Sequence, residues 1–151
     1  MKKILYIDMD NVLVNFQSGL DKIDLQTQSK FDDKNEEIPG IFSLMEPVEG
    51  AIEAFEKLSA LYDTYILSTA PWENPSAWTD KLLWVKKYLG GKAKKRLILS
   101  HHKNLNHGDI LIDDRPNNGA EEFQGEWIQF GPGKKFPDWN SVLTYLCLMI
   151  F

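Results

Sequence analysis

Ile4-Leu5-Tyr6-Ile7-Asp8-Met9-Asp10 decides the fold, because four apolar residues run straight into two carboxylates set one residue apart. The run is too short for a helix, and it suits a central strand of a parallel sheet, buried on both faces. Outward from it the pattern repeats. Tyr65-Ile66-Leu67 leads into Ser68-Thr69, Arg96 to Leu99 into Ser100, and Ile110-Leu111-Ile112 into Asp113-Asp114, with Glu126 to Phe130 as a fifth strand. Helical faces lie between them. Val48, Ile52, Phe55 and Leu58 form one, and Trp78, Leu82, Val85 and Leu89 form another that Gly90-Gly91 ends; a closing helix runs from Trp139 to Ile150. Strands alternating with helices predict an α/β fold with a mostly parallel five-stranded sheet and helices on both faces, in three layers.

Residues 15–47 break the alternation. Asp21, Asp24, Asp32, Asp33, Glu36 and Glu37 crowd there with Lys22, Lys30 and Lys34, apolar residues are sparse, and Pro39-Gly40 punctuates the stretch. A small polar insertion with some helix is expected, lying outside the sheet, so that residues 1–151 form a single domain with one insertion after the first strand.

The bulk numbers exclude several classes. A chain of 151 residues can bury a core without disulfides or structural metals. A net charge of −5 argues against a nucleic-acid polymer or an anionic membrane as partner. Cys147 is the single cysteine, so no internal disulfide forms, and it reads as a small buried hydrophobe. Ile4 to Ile7 is too short for a signal-peptide core, and no stretch approaches the ~18 apolar residues of a membrane span. The cytoplasm is the expected compartment.

Ligands of an open parallel sheet bind beyond the carboxyl ends of its strands. Those ends carry Asp8 and Asp10, Ser68 and Thr69, and Asp113 and Asp114, with Lys103 on the loop after the third strand. Singly, each has an ordinary explanation as a turn, a cap or a solvated lysine; jointly, in this order, they describe a site. Crowded carboxylates repel without a cation, and hard oxygen ligands select Mg²⁺. Hydroxyls and an ammonium suit phosphoryl oxygens, and a carboxylate is a competent nucleophile for phosphoryl transfer. Two residues of extended chain restore the side-chain direction, so Asp8 and Asp10 face one group. The dense lysines from Lys81 to Lys103 are expected as a solvated helix face and loop. His101, His102 and His107 lie in a polar loop without a clear fourth ligand for a transition metal.

Asp8-Met9-Asp10-Asn11-Val12-Leu13 resembles the D-x-D-x-[TV]-[LV] first motif of the haloacid dehalogenase-like (HAD) superfamily, and Ser68, Lys103 and Asp113-Asp114 match its second, third and fourth motifs. The resemblance narrows to the 5′(3′)-deoxyribonucleotidase family. It is carried by Met9, by Glu46-Pro47 before Gly50-Ala51, by Trp84-Val85 to Tyr88-Leu89-Gly90, by Gly108 to Pro116 after Lys103, and by Trp127 and Trp139. It covers nearly the whole chain apart from residues 17–40. It implies a Rossmann-like HAD core with a reduced cap at 15–47. It also implies Mg²⁺-dependent dephosphorylation of (deoxy)nucleoside monophosphates through an aspartyl-phosphate.

By the same resemblance Asp8 is the nucleophile, Asp10 the acid and base, and Lys103 the neutraliser of charge. Mg²⁺ is held by the Asp8 and Asp113 carboxylates and the Asp10 backbone carbonyl. Ser68 and Thr69 bind phosphoryl oxygens, Asp114 orients Lys103 or a metal-bound water, and Arg115 partners a nearby carboxylate. Phe16 and Phe42 are the candidates to stack on the nucleobase. Asn11 stands where Gly or Thr is more usual. The insertion is shorter than the cap expected of vertebrate members, which leaves open another small phosphoester, such as a sugar phosphate, and a homo-oligomer that covers the site. A receiver-like phospho-acceptor module is the reading from a different class. Asp10 speaks against it, as does the order of Lys103 before Asp113-Asp114. Base, sugar and phosphate position are not specified.

Overall fold

In the computed structural model, which describes residues 1–148, β1 (Ile4–Ile7) is followed by β2 (Val14–Asn15), α1 (Phe16–Leu20), α2 (Leu25–Lys30) and β3 (Glu46–Pro47). Then come α3 (Ala51–Leu61), β4 (Asp63–Ser68), α4 (Pro75–Tyr88), β5 (Leu97–Leu99), β6 (Ile110–Asp113), β7 (Glu126–Gln129) and α5 (Trp139–Leu148). The main sheet has the order β5-β4-β1-β6-β7 and every pairing is parallel. Ile7 is in register with Ile66 of β4 and Ile112 of β6, so the polar residues after these three strands emerge side by side.

Leu5, Ile7, Ile66, Ile110 and Ile112 pack one face of the sheet against Phe55 and Leu58 of α3, Trp84 and Val85 of α4, and Trp139 and Leu146 of α5. The other face carries Tyr6, Leu67 and Leu111 beneath Ala120 and Phe123. Ala120–Glu122 is one 3₁₀ turn, so this third layer is thin.

Two helix readings shift. Val48 precedes α3, which starts at Ala51 after Gly50 turns the chain at φ +80°. On α4 the buried stripe is Ala77, Lys81, Trp84 and Val85, while Leu82 is 43% exposed. The stripe expected from Trp78 and Leu82 is therefore rotated, and a lysine lies on it. The expected helix end at Ile150 lies outside the described residues.

β2 pairs antiparallel with β3 and forms the neck of the insertion. α1 is capped by Asn15, whose side chain accepts from the Ser18 amide, and α2 by Asp24, which accepts from the Thr27 amide. The end of the insertion is less polar than expected, because Ile38, Ile41, Phe42 and Met45 are buried in the main core. Three hydrogen bonds tie this part to α4 and its leading residue. Trp84 Nε1 donates to the Met45 carbonyl (3.0 Å), and Asn74 Nδ2 donates to the carbonyls of Glu36 (2.9 Å) and Ile38 (3.1 Å).

Candidate active site

The chain leaves β1 through a tight turn in which the amides of Val12, Leu13 and Val14 all donate to the Met9 carbonyl. Asn11 sits in the turn at φ +62°, a conformation Asn tolerates better than most residues, which answers its departure from the usual Gly or Thr. The turn throws Asp8 and Asp10 to the strand end, where the register already places Asp113.

Lys103, from a 3₁₀ turn after β5, is buried and bridges two of these groups. Its Nζ lies 2.9 Å from Asp8 Oδ1 and 2.6 Å from Asp113 Oδ2. Asp113 is further fixed by the Arg115 amide on its Oδ1 and by Trp127 Nε1 on its carbonyl. Carboxylate oxygens of Asp8, Asp113 and Asp114 lie within 4.8 Å of one another. With all three carboxyls ionised, one ammonium would leave two negative charges in this cluster.

Burial pushes the Asp8 carboxyl up to about 7, against the pull of Lys103 and with added repulsion from Asp113 and Asp10. Burial, then Asp8, pushes Asp114 up to about 6. Burial raises Asp113 too, against Lys103. For Lys103 burial acts downward, but Asp8 and Asp113 outweigh it and the ammonium is held above its ordinary value. A divalent cation bound among these carboxyls would favour their ionised forms. The donor set is all oxygen, which fits Mg²⁺.

Lys81 is the residue the sequence reading missed. It was expected on a solvated face, yet it is fully buried. Its Nζ donates to Asp10 Oδ1 (3.0 Å) and to Ser68 Oγ (2.8 Å), and lies 4.6 Å from the centre of the Phe42 ring. A buried lysine persists only when paired, and Asp10 supplies the pair. The available signal was its spacing: Ala77, Lys81, Trp84 and Val85 share one helical stripe.

A cavity of about 620 Å³ opens above these groups, lined by Asp8, Asp10, Lys103 and Asp113 at one end and by Phe16, Thr69 and Trp72 among others. Ser68 is fully buried behind the cavity wall with its hydroxyl accepting from Lys81, so Thr69 is the motif residue that reaches the lining. The Thr69 hydroxyl donates to the Ser100 carbonyl (2.7 Å). Phe16 lines the cavity and meets Phe42 edge-on at 5.9 Å. Phe42 is buried in the core with the Lys81 ammonium over its ring, and it is not among the residues that line the cavity.

Asp114 has carboxylate oxygens close to those of Asp8 and Asp113 and makes no ion pair with Lys103. Arg115 is exposed, 4.0 Å from Asp114. The histidines do not converge: His101 lines the cavity between Trp72 and Trp78, His102 is exposed, and the His107 carbonyl accepts from Tyr6 Oη.

Residues 34–136 match the family model described as 5′ nucleotidase, deoxy (pyrimidine), cytosolic type C protein (NT5C). A protein of Vibrio phage KVP40 that carries a provisional 5′(3′)-deoxyribonucleotidase name is 60% identical over 145 residues, covering 96% of this chain and 85% of the relative. The chain belongs to the 5′(3′)-deoxyribonucleotidase family. More distant relatives include the human cytosolic-type 5′(3′)-deoxyribonucleotidase, 27% identical with 93% of this chain and 79% of that one covered, and the Bacillus subtilis 5′(3′)-deoxyribonucleotidase, 28% identical with 86% of each covered. Among solved structures, magnesium-bound YfnB of Bacillus subtilis superposes with a TM-score of 0.64 at 11% identity, covering 96% of this chain and 98% of that one. The HAD-like hydrolase SP0104 of Streptococcus pneumoniae gives 0.60 at 12%, covering 95% and 90%. The five-stranded α/β core is thus the HAD fold. Among the described residues no helix is long and apolar enough to cross a membrane.

Proposed function

We propose that this protein is a Mg²⁺-dependent phosphomonoesterase that dephosphorylates (deoxy)nucleoside monophosphates through an aspartyl-phosphate on Asp8. The observation that carries this reading is the joining of Asp8, Asp113 and Lys103 in one buried cluster beside Asp10, at the end of a cavity of a size that suits a small ligand. The family membership and the names of the relatives supply the substrate class.

Asp8, Asp113 and the Asp10 backbone carbonyl are the groups that would hold the ion, with Asp114 adjoining. When bound, Mg²⁺ supplies the positive charge that lets an anionic carboxylate approach a phosphate dianion. A carboxylate oxygen of Asp8 forms a bond to phosphorus as the ester P–O bond breaks, and Asp10 passes a proton to the departing oxygen. Asp10, now a carboxylate, takes a proton from water, whose oxygen attacks phosphorus. The Asp8–phosphorus bond breaks, inorganic phosphate leaves, and Asp8 is restored. Lys103 holds Asp8 in place and spreads the charge that builds on the phosphoryl oxygens. Thr69 and Phe16 both line the cavity, which supports a role for Thr69 toward the phosphate and for Phe16 toward the base, with residues 15–47 as a reduced cap. The human relative's cytosolic-type name supports a cytoplasmic setting.

Phosphate release from a panel of nucleoside monophosphates, with Mg²⁺ and with EDTA, tests the reading alongside Asp8→Asn. Mg²⁺-dependent release that the substitution reduces below a few per cent is expected. Release from sugar phosphates or aryl phosphates but from no nucleotide would discard the nucleotide assignment. A phosphoryl group that persists on the protein would point to a phospho-acceptor module instead.

A further inference from the structure

Trp72 is 76% exposed, although a ring of that size gains from leaving water. It lines the cavity that holds Asp8, Asp10 and Lys103. The loop that carries it is fastened on both sides. Trp78 Nε1 donates to the carbonyl of Pro71 (3.3 Å), the Asn74 amide donates to the same carbonyl (3.1 Å), and the Asn74 side chain is clamped to the insertion. His101 stands edge-on to the Trp72 ring at 6.0 Å and leans against Trp78 at 6.1 Å, so the ring has a wall behind it. An exposed aromatic ring on an anchored loop, in the lining of the cavity that also holds the reactive carboxylates, can receive a flat group.

We propose that Trp72, braced by His101 and Trp78, is a platform on which the base of the substrate stacks. This rests on the nucleotide reading above and adds a specificity-determining residue on the loop after β4, apart from Phe16 on the insertion side. Base-on-aromatic stacking tolerates any base, so the platform favours a planar ring system over a bare sugar without choosing among bases.

The test compares kcat/KM for a deoxynucleoside monophosphate with that for deoxyribose 5-phosphate, which has the same sugar and phosphate but no base. Wild type, Trp72→Ala and Trp72→Phe are measured. The ratio of the two values is expected to fall roughly 10-fold in Trp72→Ala, through KM for the nucleotide, and to stay within a few-fold of wild type in Trp72→Phe. An unchanged ratio in Trp72→Ala, or an equal loss on both substrates, overturns the platform while leaving the nucleotide reading intact. A wild-type protein that hydrolyses deoxyribose 5-phosphate but no nucleotide overturns both.

Discussion

Lys81→Met removes a buried ammonium while keeping most of the side chain's volume, so the cost of a cavity is avoided. Two polar groups then lose their partner. Ser68 Oγ is fully buried and left without its donor, whereas the Asp10 side chain is 22% exposed and regains some water. Breaking a buried pair costs about 3–5 kcal/mol in the dry limit and orphaning a hydroxyl about 1–3 kcal/mol; partial rehydration of Asp10 places the sum near 2–4 kcal/mol. At about 2–4 °C per kcal/mol for a domain of this size, Tm falls by roughly 5–15 °C and the fold survives at 25 °C. Asp10 also loses the contact that fixes its Oδ1, and misplaced acid/base groups lower turnover by about 10- to 100-fold. The assay is kcat on a deoxynucleoside monophosphate beside kcat on an aryl phosphate. A phenolate departs with little help from an acid, so the aryl ester should lose less. Folded Lys81→Met protein with wild-type kcat on the nucleotide would refute the reasoning, as would equal losses on the two esters, which would place Lys81 outside the acid/base step.

In the metal-free protein the Asp8 carboxyl is raised from 3.8 to about 7. The folded state thus keeps a proton that the unfolded chain gives up, so the stability from this group is complete below the unfolded value and is lost as pH rises through about 7. Tm of EDTA-treated protein should fall between pH 5 and pH 8, Mg²⁺ should restore more at pH 8 than at pH 6 because binding must expel the proton, and a flat melting profile would contradict this. Asp10→Asn should remove most turnover and, because the buried Lys81 ammonium loses its carboxylate partner, lower Tm as well while the far-UV spectrum stays near wild type; normal turnover in it removes Asp10 from proton transfer. Asn74→Ala removes two hydrogen bonds to carbonyls of the insertion, one buried and one partly buried, and should cost about 1–3 kcal/mol in denaturant titration, with an unchanged midpoint counting against the clamp.

Much of the site was legible because a parallel sheet gathers strand ends by topology alone. Once Ile4–Ile7 and Ile110–Ile112 read as neighbouring strands, Asp8 and Asp113 had to emerge together, and the register of Ile7 with Ile112 does that. Lys103 was legible as a lysine just past a strand end. Lys81 was not, because lysines at 81, 86 and 87 give α4 the look of a solvated face, and the apolar stripe was drawn through Leu82. Only tertiary pairing with Asp10 makes a buried ammonium tolerable, and that partner lies 71 residues away. Phe42 and Phe16 looked alike in sequence, but their places in the 3₁₀ turn 41–44 and at the start of α1 put one in the core and the other at the cavity.

The insertion's anchoring divides it into two parts with different freedom to change. Ile38 to Met45 share the main core and are bonded to Trp84 and Asn74, so altering them disturbs the shelf on which Asp10, Lys81 and Phe16 rest. Asp21 to Lys34 are mostly exposed and contribute little to that shelf. Residues added in this outer stretch would lie beside the cavity that Asp33 lines, outside the buried core that holds the reactive carboxylates. A chain built this way can explore new leaving groups by altering one surface stretch while its reactive carboxylates stay under unchanged constraint.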